Sequence, residues 1–490
     1  MTAARETPER YLSQLDRDTN RPVLVVWEIT LACDLKCSHC GSRAGAARSN
    51  ELSTAECLDI VDELAALGTR HVVLIGGEAY LRRDFAQIIA AITGAGMACT
   101  MQTGGRNLTP ERIRAAVDAG LSNCGISIDG LRDLHDELRG VPGSFDAAVA
   151  SLQRLREFGI STSVNTQIAR AVLDQLDGIL DVVVESGATN WQLQLTVPMG
   201  RASDRPERLL QPHDLLAVMP QLVDLYRRAA RRGVLLQIGN NIGYFGPYEG
   251  ELRGYGLETI HYQGCDAGMG GIGIEADGKI KGCPSLPTQG YTGGNVRDID
   301  LTSIYYDTPE LSFAREKRNV PHSFCGSCYY AQVCRGGCTW MSHSLFNRPG
   351  DNPYCHHRAL ELQRQGLRES VRQVQAAPGL SFDHGVFEIA VETAAGDATD
   401  IPAPVDLTPR ADGVSATELI VCYGCFRHVF KGTVTCPFCA QAIVKSRASY
   451  RALVGEAREA AAKLTSLLTA GVATTSAGSS GSSGGNSANA

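Results

Sequence analysis

Three closely spaced cysteines are the residues of this chain best suited to chemistry. Cys33, Cys37 and Cys40 are separated by three and two residues and follow an apolar run, 23–27, that predicts a strand. A loop this short can wrap three thiolates around one corner of an iron–sulfur cube, although such clusters normally take four cysteines. The fourth iron would then lack a protein ligand. A zinc site or three incidental thiols are the alternatives, but zinc sites usually present paired cysteines with a fourth ligand in reach.

This loop resembles the signature loop of the radical S-adenosylmethionine (SAM) enzymes. The resemblance implies that the amine and carboxylate of SAM chelate the open iron. It also implies that one electron from the cluster cleaves SAM to a 5′-deoxyadenosyl radical, which abstracts hydrogen from a substrate. The sequence assigns no catalytic side chain beyond this cofactor chemistry.

Seven further cysteines resemble the SPASM extension of radical SAM enzymes that modify ribosomally made peptides and sulfatases. The resemblance implies an outer auxiliary 4Fe–4S cluster held by Cys325, Cys328, Cys334 and Cys355. It implies an inner auxiliary cluster, nearer the substrate, held by Cys265, Cys283 and Cys338.

The inner cluster is one ligand short. Either an unusual ligand such as Asp266 completes it, or one iron is open and could bind a peptide thiolate. Pro284 follows Cys283 where sulfatase-maturing members have aspartate, which disfavours formylglycine formation. Peptide crosslinking, through carbon–carbon or carbon–sulfur bonds, or another radical modification is what remains.

A turn after the second predicted strand is expected to meet SAM. Gly76, Gly77 and Glu78 resemble the Gly-Gly-Glu-Pro turn of the family, with Ala79 in place of proline. Glycine lets the backbone approach a ligand closely, and a carboxylate can accept hydrogen bonds from an ammonium group.

Other polar residues are expected around the same cofactor. Ser127 and Asp129 occupy positions where the family contacts the SAM ribose and carboxylate, although a polar strand end is the alternative. His39 occupies a position that is often aromatic in the family and is predicted to pack over the cofactor. Further side chains predicted to face the cavity are Asn165, Gln167, Gln194 and Arg201.

Two Cys-x2-Cys pairs near the C-terminus predict a separate metal site. Four thiolates in two short turns form a tetrahedral site, with zinc as the first choice and a rubredoxin-like iron as the alternative. The ligands are Cys422, Cys425, Cys436 and Cys439. The module is either a metal-stabilised ribbon or a docking site for a precursor peptide or partner protein. Because 32 residues precede Cys33, substrate capture is expected elsewhere in the chain or on another protein.

The elements that must position these residues alternate between strands and helices, which predicts an α/β fold with parallel βαβ units. Strands are expected at 23–30, 71–76, 97–102, 122–128, 160–168 and 190–197. Helices are expected at 53–67, 83–94, 110–119, 144–158, 171–186, 212–232, 356–375 and 449–469. Six repeats suit a partial (β/α)6 barrel of the radical SAM type, which puts the cysteine loop at the carboxyl end of the first strand.

The length of 490 residues predicts several domains. The expected segments are an N-terminal extension (1–22), a radical SAM core (23–240), an irregular SPASM domain with two clusters (241–375), a linker with some strand content (376–418), a zinc-ribbon-like module with its helix (419–470) and a disordered tail (471–490).

Composition excludes several classes of protein. The net charge of −7 disfavours nucleic acid as the main partner. No apolar run approaches the roughly 18 residues of a membrane span, and no signal peptide is evident. A cytoplasmic location follows, where disulfides are rare and clustered cysteines indicate metal ligands. Of the 17 cysteines, 14 fall into such clusters, whereas Cys57, Cys99 and Cys124 are expected to be buried apolar side chains.

The predicted function is that of a radical SAM/SPASM peptide maturase with SAM, three 4Fe–4S clusters and zinc as cofactors. Its expected partners are a precursor peptide and a reductant of the flavodoxin or ferredoxin type. If the chain does not capture the peptide itself, a separate peptide-recognition protein is a further expected partner. One alternative is a radical step on a small molecule, such as tetrapyrrole side-chain decarboxylation. Another is an iron–sulfur electron-transfer or scaffold protein.

Overall fold

A computed structural model describes residues 12–254, 260–316, 321–393, 395–399, 414–415 and 417–443. The strands of its first half are β1 (Leu24–Glu28), β2 (His71–Ile75), β3 (Ala98–Thr103), β4 (Asn123–Ser127), β5 (Ser161–Ile168), β6 (Asn190–Leu195) and β7 (Leu235–Ile238). The α-helices there are α1 (Gln14–Asp18), α2 (Thr54–Ala66), α3 (Phe85–Gly94), α4 (Pro110–Asp118), α5 (Arg132–Arg139), α6 (Ser144–Glu157), α7 (Leu176–Ser186), α8 (Leu215–Arg231) and α9 (Glu249–Leu252).

The second half is more irregular. Its strands are β8 (Gly271–Ile274), β9 (Lys279–Lys281), β10 (Thr292–Asn295), β11 (Leu367–Gln375), β12 (Val386–Thr393), β13 (Ala398–Thr399), β14 (Leu419–Val421) and β15 (His428–Phe430). Its α-helices are α10 (Leu301–Asp307), α11 (Pro309–Ser312), α12 (Ser323–Gly326), α13 (Ala331–Cys334), α14 (Thr339–Phe346) and α15 (His356–Arg364).

One ten-stranded sheet organises the molecule. Its order is β10-β9-β8-β1-β2-β3-β4-β5-β6-β7, and the pairs from β8 through β7 are parallel. The six predicted strands lie consecutively in it, which confirms the partial α/β barrel. The sheet remains open between β7 and β10. The Cys-rich half is joined to the barrel because its first strand, β8, pairs with β1.

Burial alternates along the barrel strands. In β5 the outward side chains Val164 and Ile168 are buried under helices, whereas Asn165 and Gln167 face the interior and are half-buried. Helix α2 begins with a capping box: the Glu56 backbone N–H donates to Ser53 Oγ, and the Ser53 N–H donates to the Glu56 carboxylate. These features position the carboxyl ends of the strands around one polar cavity.

The predicted helix at 356–375 is wrong over its second half. Helix α15 ends at Arg364 because Gly366 adopts a left-handed backbone conformation with a φ of 71°. The following residues form β11, which pairs with β12 of the predicted linker segment. Phe387 of β12 is buried in the main core.

Several expectations lie outside the described residues: the start of the N-terminal extension, the helix at 449–469 and the disordered tail at 471–490. Across the part of the chain that is described, no helix combines the length and apolar character needed to cross a membrane.

Candidate functional site

The cluster loop, residues 33–40, leaves the carboxyl end of β1 and packs against the turn after β2. The Gly77 N–H donates to the Thr30 carbonyl at 2.8 Å. A Cβ atom on Gly77 would lie 2.2 Å from the Ala32 carbonyl oxygen, and one on Gly76 would lie 2.3 Å from that of Thr30. Contact with the protein backbone at the entrance to the cluster loop therefore already requires both glycines, before any ligand is considered.

A buried ion-pair network supports the cluster loop from the end of β4. Asp129 accepts a hydrogen bond from Arg139 Nη2 at 2.5 Å and lies 2.9 Å from His39 Nε2. Arg139 Nη1 lies 3.6 Å from the Cys37 sulfur. Burial opposes ionisation of Asp129, but the charges of Arg139 and His39 outweigh it and hold the pKa of Asp129 below its usual range. Two predicted SAM contacts, Asp129 and His39, thus pair with each other.

Arg201 supports the same region from the end of β6. Its Nε donates to the Cys37 carbonyl at 2.7 Å, and both Nη atoms donate to the Ala44 carbonyl at 3.1 Å. Its backbone N–H donates to the Cys40 carbonyl at 3.0 Å. The expectation that Arg201 faces the cavity is wrong, because its guanidinium binds these carbonyls.

Cys33 lies among carboxylates. Its sulfur and oxygen atoms of Asp34 and Glu78 lie within 4.8 Å of one another. Burial and the Glu78 charge raise the pKa of Cys33 to about 12, so a nearby cation is needed to hold a thiolate there. In the described structure the sulfurs of Cys33, Cys37 and Cys40 do not all lie within that distance. A single zinc ion would bring its sulfur ligands to about 3.8 Å from one another, and these three sulfurs do not all have that spacing.

Glu78 is buried beside the cluster loop. One carboxylate oxygen accepts from the Gly104 N–H at 2.8 Å, and the other accepts from the Thr103 hydroxyl. Burial raises the pKa of Glu78 to about 7, although these two hydrogen bonds oppose the shift. A buried carboxylate of this kind would be stabilised in its charged form by an ammonium group.

The interior faces of the barrel strands carry polar side chains. Asn165 lies beside Ser127 in the strand register, and Gln167 lies beside Gln194. Asn165 donates a hydrogen bond to Gln102 of β3. Polar residues predicted on the fourth, fifth and sixth strands are therefore brought to one interior surface.

The three predicted inner-cluster cysteines line one cavity of about 190 Å³. They come from three separate elements: Cys265 precedes β8, Cys283 follows β9, and Cys338 precedes α14. Gln192 and Gln194 of β6 line the same cavity. The cavity therefore connects these cysteines with the barrel interior.

The four predicted outer-cluster cysteines line a separate, more enclosed cavity. Burial raises the pKa of each of these thiols: Cys325, Cys328, Cys334 and Cys355.

Tyr244 contacts both cysteine sets. Its hydroxyl accepts from the Cys338 N–H at 3.1 Å, and its carbonyl lies 3.8 Å from the Cys355 sulfur.

The C-terminal cysteines form a compact site. The sulfurs of Cys422 and Cys439 are 3.7 Å apart, as are those of Cys425 and Cys436. All four lie within 4.8 Å of one another. A tetrahedral ion with metal–sulfur bonds of about 2.3 Å separates its ligands by about 3.8 Å. The geometry fits one zinc ion, and equally one rubredoxin-like iron.

This C-terminal module packs beside the outer cysteine set. The Phe430 N–H donates to the Tyr329 hydroxyl at 3.0 Å, and the Tyr330 hydroxyl donates to the His428 carbonyl at 2.6 Å. Because both tyrosines directly follow Cys328, the module contacts the chain segment that carries an outer-cluster ligand.

Comparisons with known proteins agree with this geometry. Residues 27–169 match the radical SAM superfamily. The mycofactocin maturase MftC of Mycobacterium tuberculosis is 30% identical over 354 residues, which cover 71% of this chain and 86% of MftC. This chain belongs to the radical SAM superfamily. It is thus an enzyme that binds SAM and the iron–sulfur cluster of that superfamily.

Other similar proteins include a relative named as a heme synthase and two enzymes of known structure. The AdoMet-dependent heme synthase of Methanosarcina barkeri is 28% identical over 350 residues, covering 69% of this chain and 98% of the relative. SuiB of Streptococcus suis, solved with SAM, superposes with a TM-score of 0.54 at 19% identity over 66% of this chain and 74% of SuiB. The anSMEcpe structure with AdoMet gives 0.56 at 16% identity over 69% and 95%. These structures share the fold.

Sequence reasoning missed the role of Arg139 and misplaced Arg201. Arg139 contacts a cysteine 102 residues earlier, and Arg201 one 164 residues earlier. Neither arginine belongs to a motif with the cluster loop. The only local signal is that each lies a short distance beyond the carboxyl end of a barrel strand, where site residues gather.

Proposed function

We propose that this enzyme is a peptide maturase that takes hydrogen from a ribosomally made precursor peptide and installs a crosslink or related modification. The observation that carries the proposal is a path of cavities from the barrel interior to the C-terminal module. The names of similar proteins support it: MftC is a maturase, and SuiB has been solved with its precursor peptide SuiA.

The path begins at the cavity that contains the inner cysteines. A second cavity, of about 430 Å³, shares with it Asn240, Tyr262, Cys265 and Asp266. A third, of about 570 Å³, shares with the second His261, Gln263 and Arg335. An extended peptide fits such an elongated path better than a compact tetrapyrrole ring does.

The far end of the path favours a peptide for a second reason. Residues 417–420, including part of β14, line the third cavity. Strand β14 pairs with β15 along one edge, and no other described strand pairs with it. Extended peptides bind free strand edges through main-chain hydrogen bonds. Arg17 and Arg335 line the second cavity without an ion-pair partner among the described residues, which favours a peptide with acidic residues.

When bound, SAM and its cluster supply the 5′-deoxyadenosyl radical that takes hydrogen from the substrate. We assign the cluster to Cys33, Cys37 and Cys40. The proposed SAM contacts are Gly76, Gly77, Glu78, Ser127, Asp129, Asn165 and His39. In this assignment Glu78 accepts from the SAM ammonium, and Asp129 and His39 hold the cluster loop in place.

The auxiliary clusters and the zinc are part of the same proposal. Three thiolates of the inner set and four of the outer set would hold 4Fe–4S clusters that accept the electron left on the substrate. The compact C-terminal site would hold zinc. We place the reaction in the cytoplasm, where thiols stay reduced, with a flavodoxin- or ferredoxin-type reductant. A separate peptide-recognition protein is a further partner if the chain does not capture the peptide itself.

A radical step on an iron tetrapyrrole is the second candidate. It is favoured by the match to the heme synthase of Methanosarcina barkeri over 98% of that protein. The elongated path described above argues against it.

The deciding experiment uses anaerobically reconstituted enzyme with SAM and dithionite. One reaction receives the peptide encoded by a short reading frame beside the gene, and another receives an iron porphyrin that carries carboxylate side chains. We expect 5′-deoxyadenosine release to rise with the peptide and the mass of that peptide to change. A changed porphyrin with an unchanged peptide would replace the proposal with the second candidate.

Two variants make this experiment specific. Cys37→Ser is expected to abolish 5′-deoxyadenosine release altogether. Ile420→Lys, at the far end of the path, is expected to lower peptide turnover while leaving the slow cleavage of SAM without substrate unchanged. Equal turnover of the Ile420→Lys variant and the wild-type enzyme would remove the C-terminal module from the peptide path.

A further inference from the structure

The inner cysteine set has no fourth thiol within reach. Its three cysteines share one cavity, whereas the outer four line another and the C-terminal four lie together in their own site. Cys33, Cys37 and Cys40 belong to the cluster loop after β1. The remaining thiols, Cys57, Cys99 and Cys124, are fully buried in the main core. A fourth protein ligand must therefore be something other than cysteine.

Asp266 provides the one carboxylate among the described residues that line this cavity. It directly follows Cys265, so a cluster bound to that thiolate would lie next to its side chain. Its side chain is exposed and lines the cavity, and its carboxylate forms no ion pair or side-chain hydrogen bond with a described residue. The carboxylate is therefore free to bind a cation in the cavity.

The neighbouring polar groups are poorer ligands. Asn240, Asn241 and Ser285 also line the cavity, but they are neutral and bind iron weakly compared with a carboxylate. Tyr262 presents a buried hydroxyl that has no partner among the described residues. As a phenol it would have to lose a proton before it could bind iron.

We propose that Asp266 is the fourth ligand of the inner auxiliary cluster. The cluster is then coordinatively complete in the resting enzyme, and a peptide thiolate reaches its iron only by displacing the carboxylate. This inference rests on the auxiliary clusters proposed above. It distinguishes the two alternatives that the sequence leaves open, since an open iron would need no such displacement.

The test is spectroscopic and uses the full chain reconstituted with 57Fe. Every chain compared, including the one called wild type in this test, has Cys33, Cys37 and Cys40 replaced by alanine, because the open iron of the SAM cluster would itself bind cyanide. In the wild-type protein we expect Mössbauer spectra in which one iron of the inner cluster has the larger isomer shift of an oxygen-ligated site. Asp266→Cys should remove that signal by completing the thiolate set. Asp266→Ala should open the site, so that added cyanide changes the EPR spectrum of the reduced variant but leaves the wild-type spectrum unchanged.

Two cavity variants serve as matched controls. Tyr262→Phe and Ser285→Ala should leave both the Mössbauer and the cyanide response of the wild type intact. The proposal is overturned if Asp266→Ala and wild type have the same spectra, if cyanide binds the wild-type cluster, or if Tyr262→Phe produces the change instead.

Failure of the proposed function would look different. A chain with Cys33, Cys37 and Cys40 all replaced by alanine should retain about eight iron atoms if both auxiliary clusters form. Loss of that iron would remove the auxiliary clusters themselves. Retention of the iron with no effect of Asp266 variants would refute the ligand assignment alone.

Discussion

At the scale of residues, the cluster loop depends on charges that come from distant parts of the chain. Arg139 places one nitrogen 3.6 Å from the Cys37 sulfur and another 2.5 Å from Asp129. All three residues are buried. Loss of the guanidinium would leave a buried carboxylate with His39 as its remaining charged partner, and such losses cost about 3–5 kcal/mol. We therefore predict that Arg139→Gln lowers the unfolding free energy by about 3 kcal/mol and reduces iron bound at the cluster loop.

The matched control for this prediction is on the same helix. Arg132 of α5 pairs with Asp146, but both side chains are more than half exposed. An exposed pair contributes about 0–1 kcal/mol, so Arg132→Gln should unfold like the wild type and bind the same iron. Chemical denaturation and iron analysis on the two variants measure both effects. Equal stability of the Arg139 and Arg132 variants would show that the buried network does not stabilise the loop.

At the scale of elements, the turn after β2 fixes the entrance to the cluster loop by close backbone contact. A methyl group on Gly77 would lie 2.2 Å from the Ala32 carbonyl, and overpacking of this kind costs about 1–3 kcal/mol. Gly77→Ala should therefore displace the loop and lower both iron content and SAM binding. Gly45→Ala is the control, since nothing lies within 4 Å of the added Cβ. Full iron loading of Gly77→Ala would contradict the prediction.

The elements also show how far the sequence could predict the fold. Six barrel strands of five to eight residues were predicted because apolar β-branched runs alternate with helical patterns. Strands β7 and β8 were missed because each has four residues, and two of those in β8 are glycine. Pairing with β1 holds β8 in place, and no local pattern reveals that contact. The cysteine sets were predicted from spacing, whereas Arg139 and Arg201 reach the cluster loop only through the folded chain.

A buried charge cluster at the junction of β1 and β8 gives the pH prediction. Arg48 contacts both Glu28 and Glu275 at 3.0–3.1 Å. Burial raises the pKa of Glu28 to about 7, from 4.5. The native state therefore holds an extra proton between these pH values, and stability falls as the pH rises through that range.

Glu28→Gln should remove this dependence. The difference in unfolding free energy between variant and wild type should change by up to about 1.4 kcal/mol per pH unit between pH 5 and 7. Glu56→Gln is the control, because hydrogen bonds from Arg297 and Ser53 lower the pKa of Glu56 to about 2, and this group does not titrate in that range. Denaturant titrations at several pH values measure both differences, and a constant difference for Glu28→Gln would refute the assignment.

At the scale of the whole molecule, the C-terminal module covers the segment that carries the outer cysteines. Tyr329 and Tyr330 bond to its backbone, and Phe438 packs within 5.2 Å of the Tyr329 ring. Removal of the C-terminal metal should loosen the module because closed metal sites of this type contribute folding energy directly. The outer cluster would then be exposed to oxygen.

We therefore predict that Cys425→Ser with Cys436→Ser loses one metal ion per chain and releases outer-cluster iron several times faster in air. Lys431→Gln is the control, since Lys431 pairs with Glu418 on the exposed surface of the same module. Elemental analysis distinguishes zinc from a rubredoxin-like iron in the wild type, and loss of cluster absorbance with time measures the release. Identical release rates for the double variant and the control would show that the module does not protect the outer cluster from oxygen, even if its metal stabilises the ribbon itself.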